Sequence, residues 1–339
     1  MKNKKWISLA AAIVLTVTAL PMTAFAAKKD GEEKLTKVTL NEVAHSIFYA
    51  PQYVAIEEGY FAEEGLDLTL VTGFGADKVL TALISGEADI GFMGAEASIY
   101  AYQEGATDPA VNFAQLTQRA GNFLVAREEM SDFKWEDLKG KKVLGGRKGG
   151  MPEMVFEYIL KKNGIDPQKD LTIDQSIDFG STAAAFTGDD SAAYTVEFEP
   201  SATILEKEGA GYVVASLGEA SGYVPYTSYS AKESYMKENP EIIQKFTNAL
   251  QKGMDYVQSH TPEEIAEVIA PQFKETDLDT ITTIVKRYYD QDTWKENLIF
   301  EKDSFELLQD ILEDAGELNT RAEYEKLVQT EYAQKACES

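Results

Sequence analysis

APQYVAIEEGYFAEEGLDLTLVTGFGADKVLTALISGEADIGFMG, residues 50–94, sets two strand–loop–helix units side by side. Residues 66–71 and 88–93 are apolar runs with the length and flanking glycines of buried strands. Residues 51–61 and 76–85 carry helical patterns, stopped by Gly59, Gly65 or Gly86. Alternating β and α units predict a parallel sheet, and such sheets bind ligands in the loops beyond the carboxyl ends of their strands. Those loops are residues 72–75 and 94–96, and neither carries an obvious nucleophile or metal cluster. The pattern points to recognition rather than chemistry.

Upstream, residues 1–26 read MKNKKWISLAAAIVLTVTALPMTAFA. Lys2, Lys4 and Lys5, an apolar core over residues 6–20 and the ending Ala24-Phe25-Ala26 predict a secretory signal cut after Ala26. The core is shorter than the roughly 20 residues that span a bilayer. No cysteine follows it, so export without a lipoprotein anchor is expected, to the periplasm or the outer face of the cytoplasmic membrane. The remainder exceeds the roughly 250–300 residues at which single cores divide, so two lobes are expected. A net charge of −25 argues against nucleic acid or an anionic membrane as partner. The one cysteine, Cys337, permits no internal disulfide. With only His45 and His260, no His/Cys metal set is expected, and no cofactor.

Downstream, strands are expected at 38–43, 111–117 and 123–127, with a helix over 96–103. The pattern then repeats: a strand at 142–144, the loop GGRKGGMP at 145–152, a helix over 153–163 ending at Gly164, and strands at 171–173, 192–196 and 212–215. Residues 119–122 and 217–226 read as two crossovers between lobes. From Ala231 onward the pattern is helical. The run 241–259 places Ile242, Phe246, Leu250, Met254 and Val257 on one core-facing stripe that should pack on the first lobe. The fold class is therefore α/β, with two Rossmann-like lobes of parallel-dominated sheets. Residues 35–120 and 226–335 form lobe 1 with its C-terminal helices, and residues 121–225 form lobe 2.

Ala50-Pro51, Gly59-Tyr60-Phe61, Glu64-Gly65-Leu66, Ser85–Gly91 (SGEADIG), WEDLKG at 135–140, the glycine-rich loop and Glu199-Pro200 carry a resemblance to a known family. The chain resembles the ABC-transporter solute-binding proteins of the NMT1/THI5-like and sulfonate/taurine-binding group, over nearly its whole mature length. The resemblance implies a type II periplasmic-binding fold whose lobes close on a small-molecule solute, acting as a monomer and delivering the solute to a membrane permease. The fungal-type pyrimidine synthases share the family, but they carry a cysteine-rich motif near the site, and no cysteine precedes Cys337 here. A regulatory ligand-sensing domain of the same fold would need a DNA-binding segment where the signal stands.

Several residues could hold the solute. The loop before Met151 offers backbone amides at a helix start, attractive to anions, with Arg147 as a bidentate donor beside Gly149 and Gly150. It lacks the Gly-Lys-Ser/Thr ending of a P-loop. Gly73, Phe74 and Gly75 open a second helix, with glycines that permit close approach. Glu96 follows Gly94 at a strand end, and Glu197 and Glu199 lie in TVEFEP, where a carboxylate can accept from an amino group or cationic ring. Phe48, Tyr49 and Tyr223 supply flat rings to stack on a flat ligand, while Tyr194 and Phe198 read singly as core. His45 ends the first strand and reads first as structural. Acidic acceptors beside an anion-prone loop suit a zwitterion or an aminopyrimidine better than a bare sulfonate. A thiamine-precursor aminopyrimidine is thus the first expected ligand and an alkanesulfonate or taurine the second.

Overall fold

In the computed structural model, residues 34–178 and 180–338 are described, so the expected export signal at 1–26 lies outside them. The strands, in chain order, are β1 (Thr36–Glu42), β2 (Leu66–Thr72), β3 (Ile90–Gly94), β4 (Ala110–Thr117), β5 (Asn122–Ala126), β6 (Lys142–Leu144), β7 (Thr172–Asp174), β8 (Tyr194–Phe198), β9 (Tyr212–Ser216) and β10 (Thr227–Lys232). They form two five-stranded sheets with the orders β2-β1-β3-β10-β4 and β7-β6-β8-β5-β9. Each order places one antiparallel strand, β10 or β5, in the fourth position. β5 is the first strand after the chain leaves the first sheet, and β10 the first after it returns, so each sheet is closed by a strand that arrives from the other.

Parallel pairing sets the register. β1 meets β2 from Thr36↔Leu66 to Glu42↔Thr72 and meets β3 at Leu40↔Ile90. In the second sheet Leu144 lies between Asp174 and Thr195. The carboxyl ends of these strands therefore share one edge in each sheet. β3 is buried along its whole length because helix Ala76–Ser85 covers it, and a Cβ on Gly91 would lie 3.1 Å from Val79 Cγ1. Such a strand reads as a continuous apolar run rather than an alternation.

Most of the expected elements form, with shifts at their ends. The helix expected over 51–61 divides into Ala50–Glu57 and Tyr60–Glu63, because Gly59 takes φ +76°, which ends the first helix. β8 starts two residues later than expected and runs to Phe198, which puts Glu197 inside the strand. β10 begins directly after the segment expected to be a crossover and runs two residues into the text expected to be helical from Ala231. Its sequence Thr-Ser-Tyr-Ser-Ala-Lys has no apolar alternation, since Ser228 and Ser230 are buried and donate to Asn112 Oδ1 at 2.6 and 3.0 Å. Tyr229, between them, stacks on Phe92 with ring centroids 4.1 Å apart.

Helix Pro240–Ser259 packs on the first sheet's side as expected, with Phe246, Leu250, Met254 and Val257 buried, but Ile243 rather than the expected Ile242 completes the stripe. The C-terminal segment also reaches the second sheet. Arg287, on helix Leu278–Asp290, pairs with Glu199 and Glu206, and helix Lys302–Asp314 lies against helix Met151–Lys162.

Gly253 marks a close helix crossing. A Cβ there would lie 2.2 Å from the Pro51 carbonyl oxygen and 3.1 Å from Ala55 Cβ. Gly253→Ala should therefore destabilise the protein by about 1–3 kcal/mol through overpacking, although alanine is the better helix former. Urea denaturation reads this; a midpoint equal to or above wild type would show that the helices can separate without loss.

Candidate functional site

One cavity of about 120 Å³ lies where the strand carboxyl ends of the two sheets face each other. The first sheet supplies Val43, Tyr49, Gly75, Ala76, Gly94 and Glu96. From the second come Gly145, Gly146, Arg147, Gly150, Met151 and Pro152 on one side, and Gly180, Thr182, Val196, Glu197, Phe198 and Ser201 on the other. Tyr226 and Thr227 close it at the return crossover. Two acids and one base, Glu96, Glu197 and Arg147, are the charged side chains among the described wall residues.

Glu96 is the first residue of helix Glu96–Gln103 and is 3 % exposed. Burial raises its carboxyl to about 7, against the opposing pull of its own amide, the Met151 amide and the Arg147 charge. Its Oε2 has no hydrogen-bond partner. The carboxylate folds back over Gly94, where a Cβ would lie 2.1 Å from Oε2. Glu197 accepts from Thr195 Oγ1 at 2.6 Å and Thr182 Oγ1 at 3.0 Å, and burial raises it to about 7 as well. The Tyr226 hydroxyl is buried and unpartnered, and burial pushes Tyr49 and Tyr226 well above the usual phenol range. Arg147 reaches across to Asp77, with Nη1 3.3 Å from Oδ1.

Of the residues expected from sequence, Tyr49, Gly75, Gly94, Glu96, Arg147, Gly150, Met151 and Glu197 meet at this wall. The others do not. His45 places Nδ1 2.8 Å from Glu42 Oε1 and Nε2 2.9 Å from the Gln272 carbonyl. Both nitrogens face acceptors, and the Glu42 hydrogen bond chiefly raises its pKa, so the ring is structural. The Phe48 ring packs against Gly121, Tyr226 and Tyr288. Gly73 sits against Asn41 and Val79, and Phe74 is 63 % exposed at φ +56°. Gly149 lies outside the wall, with its carbonyl accepting from Tyr100.

Glu199 is fully committed elsewhere: Thr203 donates from its amide and hydroxyl at 2.9 Å each, and Arg287 Nη1 at 2.8 Å. Tyr223 donates to Asp292 at 2.5 Å under the Arg119 guanidinium, outside the cavity. Tyr194 packs on Phe133 away from the wall, as its core reading expects. Phe198, also read as core, instead borders the cavity.

Sequence reasoning missed Glu42, which gathers Gln52, Tyr53, Thr72 and His45 around a fully buried carboxylate. It also missed Thr182 and Ser201, which stand at the starts of two short helices that carry no apolar stripe.

The family model described as NMT1/THI5 like matches residues 47–265. The chain belongs to this family. Among NMT1/THI5-like relatives, YtlA of Bacillus subtilis (strain 168), named as a binding protein, is 47% identical over 331 residues and is covered, like this chain, to 98%. The 4-amino-5-hydroxymethyl-2-methylpyrimidine phosphate synthase THI11 of Saccharomyces cerevisiae is 24% identical over 225 residues, 62% of this chain and 63% of that protein. The alkanesulfonate-binding protein SsuA of Xanthomonas axonopodis pv. citri, solved with MOPS, shares the fold at a TM-score of 0.69 and 16% identity, covering 88% of this chain and 99% of its own. The NMT1/THI5-like chain thus has the mixed α/β architecture of periplasmic solute-binding proteins.

Because Glu199 ties helix Ser201–Lys207 to Arg287, Glu199→Ala should lower unfolding free energy by about 1.5–3 kcal/mol, the value of a hydrogen bond to a charged group. Ligand affinity in the folded variant should stay near wild type. Paired urea melts and calorimetry check this. Undiminished stability with lost affinity would return Glu199 to the ligand.

Proposed function

We propose that this chain is the extracytoplasmic solute-binding component of an ABC importer. It captures a small, flat, amino-bearing heteroaromatic, such as a thiamine-precursor aminopyrimidine, and passes it to a membrane permease. The observation that carries the ligand class is the pair of orphaned polar atoms on one wall, Glu96 Oε2 and the Tyr226 hydroxyl. A buried polar atom without a partner is costly, and a ligand amino group answers the carboxylate. Glu197 offers a second acceptor, and Tyr49, Phe198 and Tyr226 offer faces for a ring. The cavity volume suits a small solute rather than a drug-sized one.

The high identity to a protein named for binding supports capture over turnover, and the synthase relative, named for an aminopyrimidine phosphate, supports the ligand class. A synthase activity lacks support here, since the single cysteine, Cys337, is exposed and lies 3.8 Å from Gln251 Oε1 in the C-terminal segment, not at the wall. Residues 35–120 with 226–335, and residues 121–225, act as lobes of a monomer that close by a hinge at the two crossovers. Alkanesulfonate or taurine is the second reading, favoured by Arg147 and the glycine loop on the wall.

A thermal-shift panel of aminopyrimidines and their phosphates, taurine, alkanesulfonates and nitrate separates the readings. A ligand at a hundred times its dissociation constant adds about 2.7 kcal/mol, enough to move the melt by degrees. An aminopyrimidine should give the largest shift; a shift from sulfonate or nitrate alone overturns the ligand class and leaves transport standing. Turnover of any panel member to a product overturns capture itself.

The pH dependence gives a second readout. Glu96, facing Arg147, Tyr49, Tyr100 and Tyr226, and Glu197, facing Thr182 and Thr195, both have carboxyls raised to about 7. Each is protonated below that value and an ionised acceptor above it. Affinity for an amino donor should therefore rise as pH passes upward through 7, whereas affinity for an anion should fall. Calorimetry on either side of neutrality reads the sign.

A further inference from the structure

The start of helix Met151–Lys162, twelve residues long, has no side-chain hydrogen bond from its Gly150 N-cap, and its own first-turn acid, Glu153, is turned back to the Gly149 amide at 3.3 Å and Gln175 Nε2 at 2.6 Å. Its free amides and dipole favour an anion. In this fold the chain supplies that anion from the opposite sheet. The Glu96 carboxylate, nine-tenths buried, is acted on by the Met151 amide and by Arg147, and its Oε2 still lacks a partner. Gly94 makes the placement possible, because a Cβ there would overlap all three carboxylate atoms. The second anion receptor is answered too. Arg147, the cationic side chain among the described wall residues, is held at 3.3 Å by Asp77, in the first turn of helix Ala76–Ser85.

We propose that Glu96 and Asp77 set specificity by occupancy: they fill the two positions where a sulfonate or phosphate would bind, so the cavity rejects free anions and admits only ligands that bring a donor to Glu96 Oε2. This deepens the aminopyrimidine reading and rests on its choice of cavity. A protein can discriminate by building repulsion against the wrong ligand as well as contacts to the right one. Glu96 does both: it repels an oxyanion and accepts from an amine. Asp77 only repels and holds Arg147 aside, which makes it a positioning residue.

The test compares wild type with Glu96→Gln, Asp77→Asn and the double variant. Each is titrated by calorimetry at mildly alkaline pH with methanesulfonate, inorganic phosphate and an aminopyrimidine. Glu96→Gln keeps the volume at the buried position, and Asp77 is half-exposed, so its asparagine variant tests the idea even where the other does not fold. The double variant should gain affinity for methanesulfonate by about a hundredfold or more, the scale on which removing a like-charge juxtaposition acts. Glu96→Gln should supply most of that gain and lose aminopyrimidine affinity, while Asp77→Asn, which frees Arg147 from an exposed pair, should supply the smaller part. Folded variants that bind methanesulfonate no better than wild type overturn the inference, as does wild type that already binds it as tightly as the double variant. If the double variant gains methanesulfonate while wild type takes no aminopyrimidine, occupancy stands and the ligand reading fails.

Discussion

Parallel pairing in register is the constraint on which the rest depends. Once β1 runs alongside β2 and β3, Glu42, Thr72 and Gly94 must end at one edge, and the loops that follow them must converge. The second sheet repeats the rule through β6, β7 and β8. An antiparallel strand from the other half in each sheet then fixes how the two edges meet, because β5 and β10 cannot shift without pulling on the crossovers. Every charged wall residue owes its place to this arrangement, not to its neighbours in sequence.

The cavity is acidic on balance. It holds two carboxyls balanced near neutrality by burial, and its one guanidinium is already paired. Desolvation, the first cause of both carboxyl shifts, becomes useful when a ligand replaces the missing water with hydrogen bonds. Glu199 illustrates the opposite outcome. It is just as buried, but Thr203 and Arg287 satisfy it, and it serves the scaffold.

The alternation of strand and helix was legible because apolar runs and glycine stops are local signals, and so were Glu96, Arg147 and Glu197 as residues near strand ends. What could not be read was which carboxylate is spoken for. Glu197 and Glu199 stand two apart in one strand-and-turn segment, and only the arrival of Arg287 from 88 residues downstream separates their roles. β10 was hidden for a related reason. Its buried serines look solvent-exposed in sequence, and they become core only because Asn112, more than a hundred residues upstream, accepts from both. His45 looked available because its two acceptors, Glu42 and the Gln272 carbonyl, lie on separate elements.

The ties between the two sheets are of an uneven kind. Arg147–Asp77, Lys148–Glu317 and Lys207–Asp277 all join partners that water reaches, whereas Arg287–Glu199 holds a carboxylate that water does not. Exposed pairs contribute roughly 0–1 kcal/mol each, because hydration replaces them almost in kind, and dissolved salt screens them within about 10 Å. The exposed ties are thus reversible and the buried one is an anchor. Ionic strength acts on the exposed pairs and leaves the buried one alone, so the ties between the two halves differ in how they answer to salt.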